Sequence, residues 1–477
     1  MSLARAITRL VVGTFAAFGI VALAAAYWAI AGPDTVALRD DNPRLVVEEA
    51  ALLRGHILDR NGDVLAASQV NDNQQVMRIY PHPEVSSLVG YSSLRYGVAG
   101  TEYAYDSILR GDNQINDVTQ QFADDLLHRR KIGTDIKISL DLEIQQTVSK
   151  AMAGQTGAVI VMAVPSGQIL SLVSLPGYDP NRLDSNWDEL VASPDEPFFN
   201  RALQGRYQPG GTLQTPLMSA AILANVSLTE NIRNATNPVQ LDDIELSCAL
   251  RLPFTQLSLR DAYGFACPRP FTQLVEQLGS QTMNTMIQTF QFNKQAELQG
   301  YSTEPPITQE ITVEEDTLMD NALGQGELTV TPLDMAVMAA AIINDGNAPQ
   351  PYTLLETRAP GNTVWNPVLA TRPTTPFTTQ NTARQLQDLM RNAVANGGAL
   401  NAARPNMDIG GHATLAFSGD QSQAWFIGFA TLEGQRAVAV AIVIENSRDP
   451  GLAADIGGTI LEAAHQALRL PQTTPQN

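Results

Sequence analysis

The stretch Gly157–Leu175, "GAVIVMAVPSGQILSLVSL", is two apolar runs joined by Pro165, Ser166 and Gly167. Short runs rich in Val, Ile and Leu, broken by a Pro-Ser-Gly turn, predict an antiparallel hairpin. A second hairpin is expected near the C-terminus, in Gln423–Glu445 "QAWFIGFATLEGQRAVAVAIVIE", with "EGQ" as its turn. Helical patterns lie between them. In "TPLMSAAILANVSL" Thr215 is expected to cap and Pro216 to take the first helical position. In "TPLDMAVMAAAIIN" Thr331 caps, Pro332 follows, Asp334 sits at the positive dipole end and Gly346 stops the helix. The helix-like "AADIGGTILEAAHQALRL" closes the region. Strands at both ends with helices between them predict an α/β (α+β) domain over residues 150–468. Its single antiparallel sheet should have its first and last strands as neighbours and be covered by helices.

Toward the N-terminus, residues 40–145 read as a small mixed module. "RGHILDRNGDVLAAS" (54–68) has two β-like runs around Asn61-Gly62, a hairpin signal, and "VGYSSLRYGVAGTEYAYDSILRG" (89–111) is Gly-punctuated and then amphipathic. An acidic linker separates it from residues 10–31, "LVVGTFAAFGIVALAAAYWAIA", an uncharged run long enough to cross roughly 30 Å of hydrocarbon. A signal peptide's apolar region is shorter, about 7–15 residues, so an uncleaved anchor is expected. Arg5 and Arg9 precede it, which puts residues 1–9 in the cytoplasm and the body outside, ending in a polar tail at 469–477. A net charge of −19 excludes nucleic acid as a partner, because phosphates demand clustered Lys and Arg. The module at 40–145 shows no metal-ligand spacing or phosphate loop, and no cofactor is expected for the chain. Cys248 and Cys267, the two cysteines, fall in the exported part, where one disulfide or two buried thiols are both open.

Taken in order, the anchor, "RGHILDRNGDVLA", "GYSSLRYGVAGTE", "LDLEIQQ", "GAVIVMAVPSGQILSLVSLPGYDPN", "NRALQGRYQPGGT", "LGQGELTVTPLDMAVMAAAIINDG" and "AWFIGFA" resemble the monofunctional (class B) penicillin-binding proteins, the peptidoglycan D,D-transpeptidases. The resemblance implies a penicillin-binding-protein/serine β-lactamase-like transpeptidase domain standing on a pedestal (dimerisation-like) module. It also implies three catalytic motifs, S-x-x-K, S-x-N and K-T-G. A serine is a weak nucleophile until a base takes its proton, hence the lysine one helical turn later.

None of the three motifs is intact. "YQPGGTLQ" sets Gly211 at the nucleophile's position and Gln214 at the base's; "LRDAYGFACPRPF" sets Ala266, Cys267 and Pro268 at the second motif; "DIGGHATLA" sets Gly411, His412 and Ala413 at the third. Shifting the alignment restores nothing. The four lysines, Lys131, Lys137, Lys150 and Lys294, are preceded three residues earlier by His128, Thr134, Thr147 and Gln291, and no Ser-x-Asn occurs. His412 is expected to be a partly exposed strand histidine, and Cys267 a disulfide or core thiol, since no histidine or lysine lies near it in sequence to activate it.

What the resemblance implies for function is therefore a membrane-anchored pseudo-transpeptidase, a scaffold or regulator in cell-wall synthesis. Its implied partners are a multi-spanning peptidoglycan glycosyltransferase and other cell-wall proteins, touched through residues 10–31, 54–68 and 89–111. Two rivals stay open: a transpeptidase or carboxypeptidase using unorthodox groups, and a module that holds a stem peptide non-covalently.

Overall fold

The computed structural model describes residues 3–32, 49–112, 130–241, 243–301, 307–369, 372–434 and 436–469. The linker expected after the anchor, the part of the pedestal at 113–129 and the tail from 470 onward lie outside them. The chain forms two compact units, the smaller comprising Met1–Leu53, Gln69–Met77 and Ile115–Ile132. Its main element is the 30-residue helix Leu3–Gly32. Ile7–Trp28 within it is a 22-residue apolar span with none of its surface buried by protein. That is the length and character needed to cross a bilayer.

The larger unit is built on one five-stranded antiparallel sheet. Its strands are β1 (Gly157–Val164), β2 (Ile169–Leu175), β3 (Ile409–Ser418), β4 (Gln421–Leu432) and β5 (Arg436–Glu445), arranged β3-β4-β5-β1-β2. The first and last strands do pair, from Ala437 opposite Val164 to Ile444 opposite Gly157. Both hairpins are as expected. The near-continuous apolar composition of β1 and β5 follows from helices covering both faces. Ile160 and Met162 enter one core with helix Pro332–Ile343, while Val159 and Val161 enter a second with helix Pro450–Arg469. Side chains alternate along a strand, so each strand serves two cores at once.

Helix Pro332–Ile343 begins as expected. Thr331 Oγ1 accepts from the Asp334 amide and the Asp334 carboxylate accepts from the Thr331 amide, a reciprocal capping box. The helix after Gly211 differs from expectation. It runs Gln214–Leu223, continuing a 3-10 turn at Gly210–Leu213, so Thr215 lies inside it and does not cap. Its hydroxyl instead meets the Tyr263 hydroxyl at 3.1 Å. Pro216 is tolerated because its missing N–H falls in the first turn, where no intrahelical acceptor is waiting.

The pedestal uses a separate sheet that the sequence reading underestimates. Strands Ile57–Leu58 and Asp135–Ile138 pair in parallel, and Leu354–Arg358, far along the chain, joins Asp135–Ile138. The Asn61-Gly62 turn is present: the Asp59 carboxylate accepts from the amides of Asn61, Gly62 and Asp63. Within the pedestal lies an ion cluster centred on Glu102, which is fully buried. Arg54 Nε donates to one carboxylate oxygen at 3.0 Å, Arg78 Nε to the other at 2.6 Å, and the Tyr80 hydroxyl at 3.2 Å. Arg54 also donates to Asp106 at 2.7 Å. Glu102→Ala would leave two buried guanidinium groups short of a counter-charge. We expect it to lower unfolding free energy by about 3–5 kcal/mol in denaturant titrations, part of which Arg78→Met in the same chain recovers.

Candidate functional site

The segment leading to Gly211 is held from both sides. Tyr207 and Val330 exchange backbone hydrogen bonds at 2.9 Å, and the Trp425 indole donates to the Gln208 carbonyl at 3.2 Å. The Tyr207 hydroxyl donates to Glu445 at 2.6 Å, beside Arg201 at 3.0 Å from the same oxygen. The chain then turns at Gly210, whose φ of 51° suits glycine. A Cβ on Gly210 would lie 2.3 Å from the Leu415 carbonyl and 2.5 Å from the Ala416 Cβ, so the backbone of edge strand β3 sits directly against this corner. Gly324, at φ 68°, closes it from the other side, its carbonyl accepting from the Gly210 amide at 2.9 Å.

Gly211 and Gln214 line a cleft of about 500 Å³ together with Ala266, Pro268 and Thr414. Thus Gly211, Gln214, Ala266 and Pro268, four of the positions singled out in the sequence, are brought together. Gly411 and Ala413 are not among them. Strand alternation turns both toward helix Pro450–Arg469: a Cβ on Gly411 would lie 2.5 Å from the Phe426 ring, and Ala413 packs in the same core as Phe426. From β3, Thr414, Leu415 and Phe417 line the cleft, while His412 packs against Tyr263 and is not part of the lining. Thr414 was missed in the sequence, where the period-two pattern of "IGGHATLA" was the available signal.

Thr414 occupies the space a nucleophile's side chain would need. A Cβ on Gly211 would stand 2.9 Å from Thr414 Cβ and 3.1 Å from its Cγ2. The Thr414 hydroxyl is buried and has no hydrogen-bond partner, so no base activates it.

His412 is also not as expected: it is 1% exposed rather than partly exposed. Its ring lies parallel to Tyr263 with centroids 4.2 Å apart. Burial pushes its pKa down to about 3; the nearby Gly211 carbonyl favours the protonated form, without reaching hydrogen-bond geometry with either ring nitrogen. Burial also raises the pKa of the Tyr263 hydroxyl. The imidazole is thus a neutral filler between β3 and helix Leu259–Gly264 at physiological pH. Cys267 is joined to Cys248, with Cα atoms 4.0 Å apart, which resolves the open alternative in favour of the bridge. An oxidised Cys267 offers no thiolate. Among the described residues, no group of three metal-ligating side chains forms.

This fold and this corner define a class of proteins. Residues 157–462 match the penicillin binding protein transpeptidase domain, and residues 54–136 match the penicillin binding protein A dimerisation domain. The chain belongs to the penicillin-binding protein transpeptidase family. It is 30% identical to the peptidoglycan D,D-transpeptidase PbpA of Mycobacterium tuberculosis over 464 residues, covering 89% of this chain and 91% of the relative. The peptidoglycan D,D-transpeptidase MrdA of Acinetobacter baumannii is 23% identical over 459 residues, 81% of this chain and 66% of MrdA. Among solved structures, penicillin-binding protein A from M. tuberculosis as an imipenem acyl-enzyme superposes with a TM-score of 0.77 at 28% identity, covering 87% of this chain and 99% of that one. The D,D-transpeptidase domain of a peptidoglycan glycosyltransferase from Eggerthella lenta gives 0.76 at 25%, covering 88% and 100%.

Two outcomes follow from the geometry of Gly211 and His412. Gly211→Ser, alone or with Gln214→Lys, should lower unfolding free energy by about 1–3 kcal/mol through overpacking against Thr414, and Thr414→Gly should restore most of it. Thermal melts of the three variants compare them directly.

The second outcome concerns acid. The folded pKa of His412, about 3, is depressed below the ordinary 6.5, so the unfolded chain binds the extra proton between those values. The stabilisation is complete above the unfolded pKa and is lost as pH falls toward the folded one, by at most roughly 3–5 kcal/mol. His412→Phe, which keeps the stacked ring, should reduce the difference in denaturant midpoint between neutral pH and about pH 4. An unchanged difference would mean that His412 is not what makes the fold acid-sensitive.

Proposed function

We propose that this chain is a single-pass membrane protein with an extracytoplasmic body that has lost acyl-transfer chemistry and serves peptidoglycan synthesis as a scaffold or regulator. The observation that carries the reading is the cleft itself: Gly211, Gln214, Ala266 and Pro268 line it, and among the described residues neither of its hydroxyl-bearing side chains, Ser247 and Thr414, is hydrogen-bonded to a base. Nucleophile and general base act as a unit, and loss of either removes most of the acceleration. Thr414 supports the same reading from sterics, since it fills the space beside position 211.

On this reading Ile7–Trp28 is the anchor and the pedestal is an assembly surface. A multi-spanning glycan polymerase is the proposed partner. The survival of "RGHILDRNG" and "GYSSLRYGVAGTE" does not by itself argue for a docked partner. Arg54 opens the first, Glu102 closes the second, and the two are bonded to each other inside the fold.

The test is incubation of the full chain with a fluorescent penicillin, read by gel and by intact mass. No covalent adduct is expected, and Gly211→Ser with Gln214→Lys should not restore turnover of a thioester substrate. A mass gain of one opened β-lactam on the native chain would overturn the proposal. A companion pull-down from detergent-solubilised membranes should lose its specific partner when Leu10 to Ala31 is replaced by an unrelated anchor.

A further inference from the structure

The cleft that replaces the active site is not inert. Four charged residues line it: Asp243, Glu245, Asp420 and Arg448. The three carboxylates are exposed, and among the described residues none of them forms an ion pair. The Arg448 guanidinium lies 5.9 Å from the centroid of the Phe417 ring. The lining is therefore net negative by two charges, three carboxylates against one guanidinium.

The floor gives an independent sign. Gln214 is 4% exposed and Thr414 1% exposed; both line the cleft, and neither Gln214 Oε1 nor Thr414 Oγ1 has a hydrogen-bond partner. Buried polar atoms without partners are rare because each costs its desolvation energy. Gln214 Oε1 accepts hydrogen bonds and donates none, so what satisfies it must donate.

We infer that this cleft is a non-covalent binding site for a peptide end that carries N–H donors and positive charge, an ammonium or an uncapped amine, and that it disfavours a carboxylate-terminated ligand. A carboxylate brings no donor to Gln214 and meets a rim of its own sign. An ammonium brings donors to the floor and opposite charge to the rim. The about 500 Å³ of the cleft suits a ligand of a few residues at most. The inference rests on the site being non-covalent, as proposed above.

One dipeptide in three charge states tests it on the full chain in detergent: Ala-Ala amide with a free amino terminus, N-acetyl-Ala-Ala amide, and N-acetyl-Ala-Ala with a free carboxylate. Binding is read by saturation-transfer NMR titration. The cationic form should bind about fivefold or more tighter than the anionic form at low salt, with the neutral form between them and the ratio shrinking as salt is added. Asp243→Asn, Glu245→Gln and Asp420→Asn together should bring the ratio to about one, and Gln214→Leu should weaken the cationic and neutral forms more than the anionic one, which brings no donor to Gln214. Equal or tighter binding of the anionic form overturns the inference. So does absence of binding by every form at millimolar concentration, or a cationic preference unchanged in the triple variant. Intact mass after penicillin treatment reports separately on the non-covalent reading, so an adduct would sink that reading whatever the dipeptides do.

Discussion

The contact on which the site depends is backbone against backbone: edge strand β3 lies so close to Gly210 that any side chain there would strike Leu415 and Ala416. Glycine at φ 51° is what lets the chain turn and present residues 211–214 to the strand. The scaffold of an acyl-transfer site is therefore kept at its tightest point. The space beside this contact is filled by Thr414, so a side chain added at Gly211 would meet it.

The charge of the site is set by the same few elements as its shape. The chain has four lysines, none later than Lys294, so no lysine comes from the β3 strand. The one titratable group on the site face of β3, His412, is buried against Tyr263 and kept neutral. The floor is thus uncharged while the rim is acidic, whereas chemistry that stabilises an oxyanion needs fixed positive or donor groups aimed inward. The proposed loss of acyl transfer and the proposed preference in ligand charge draw on the same uncharged floor and acidic rim.

The pedestal carries a different lesson about retained motifs. Arg54, Arg78 and Glu102 are held together in a buried ion cluster, and a buried charge without its partner is strongly destabilising. Such residues persist for the fold's own sake. The cluster ties two stretches of the chain separated by tens of residues, through Arg54 and Glu102.

Local patterns determined much of this protein. The two hairpins, the capped helix at Thr331, the apolar span and the absence of a serine–lysine pair were legible because each depends on neighbours within a few positions, or on composition alone. The residues expected at the motif positions, Gly211, Gln214, Ala266 and Pro268, were picked out from short patterns too, and the fold brings these four to one cleft. Four things were decided only in three dimensions. Leu354–Arg358 joined the pedestal sheet, a pairing across more than two hundred residues that no short-range pattern encodes. Thr215 turned inward to Tyr263, because helix packing overrode its capping preference. The cysteine bridge needed a Cα separation that spacing does not supply. Which residues of β3 line the cleft depended on strand register and on how the strand runs past it: Thr414, Leu415 and Phe417 line it, His412 stacks on Tyr263, and Gly411 and Ala413 face Phe426.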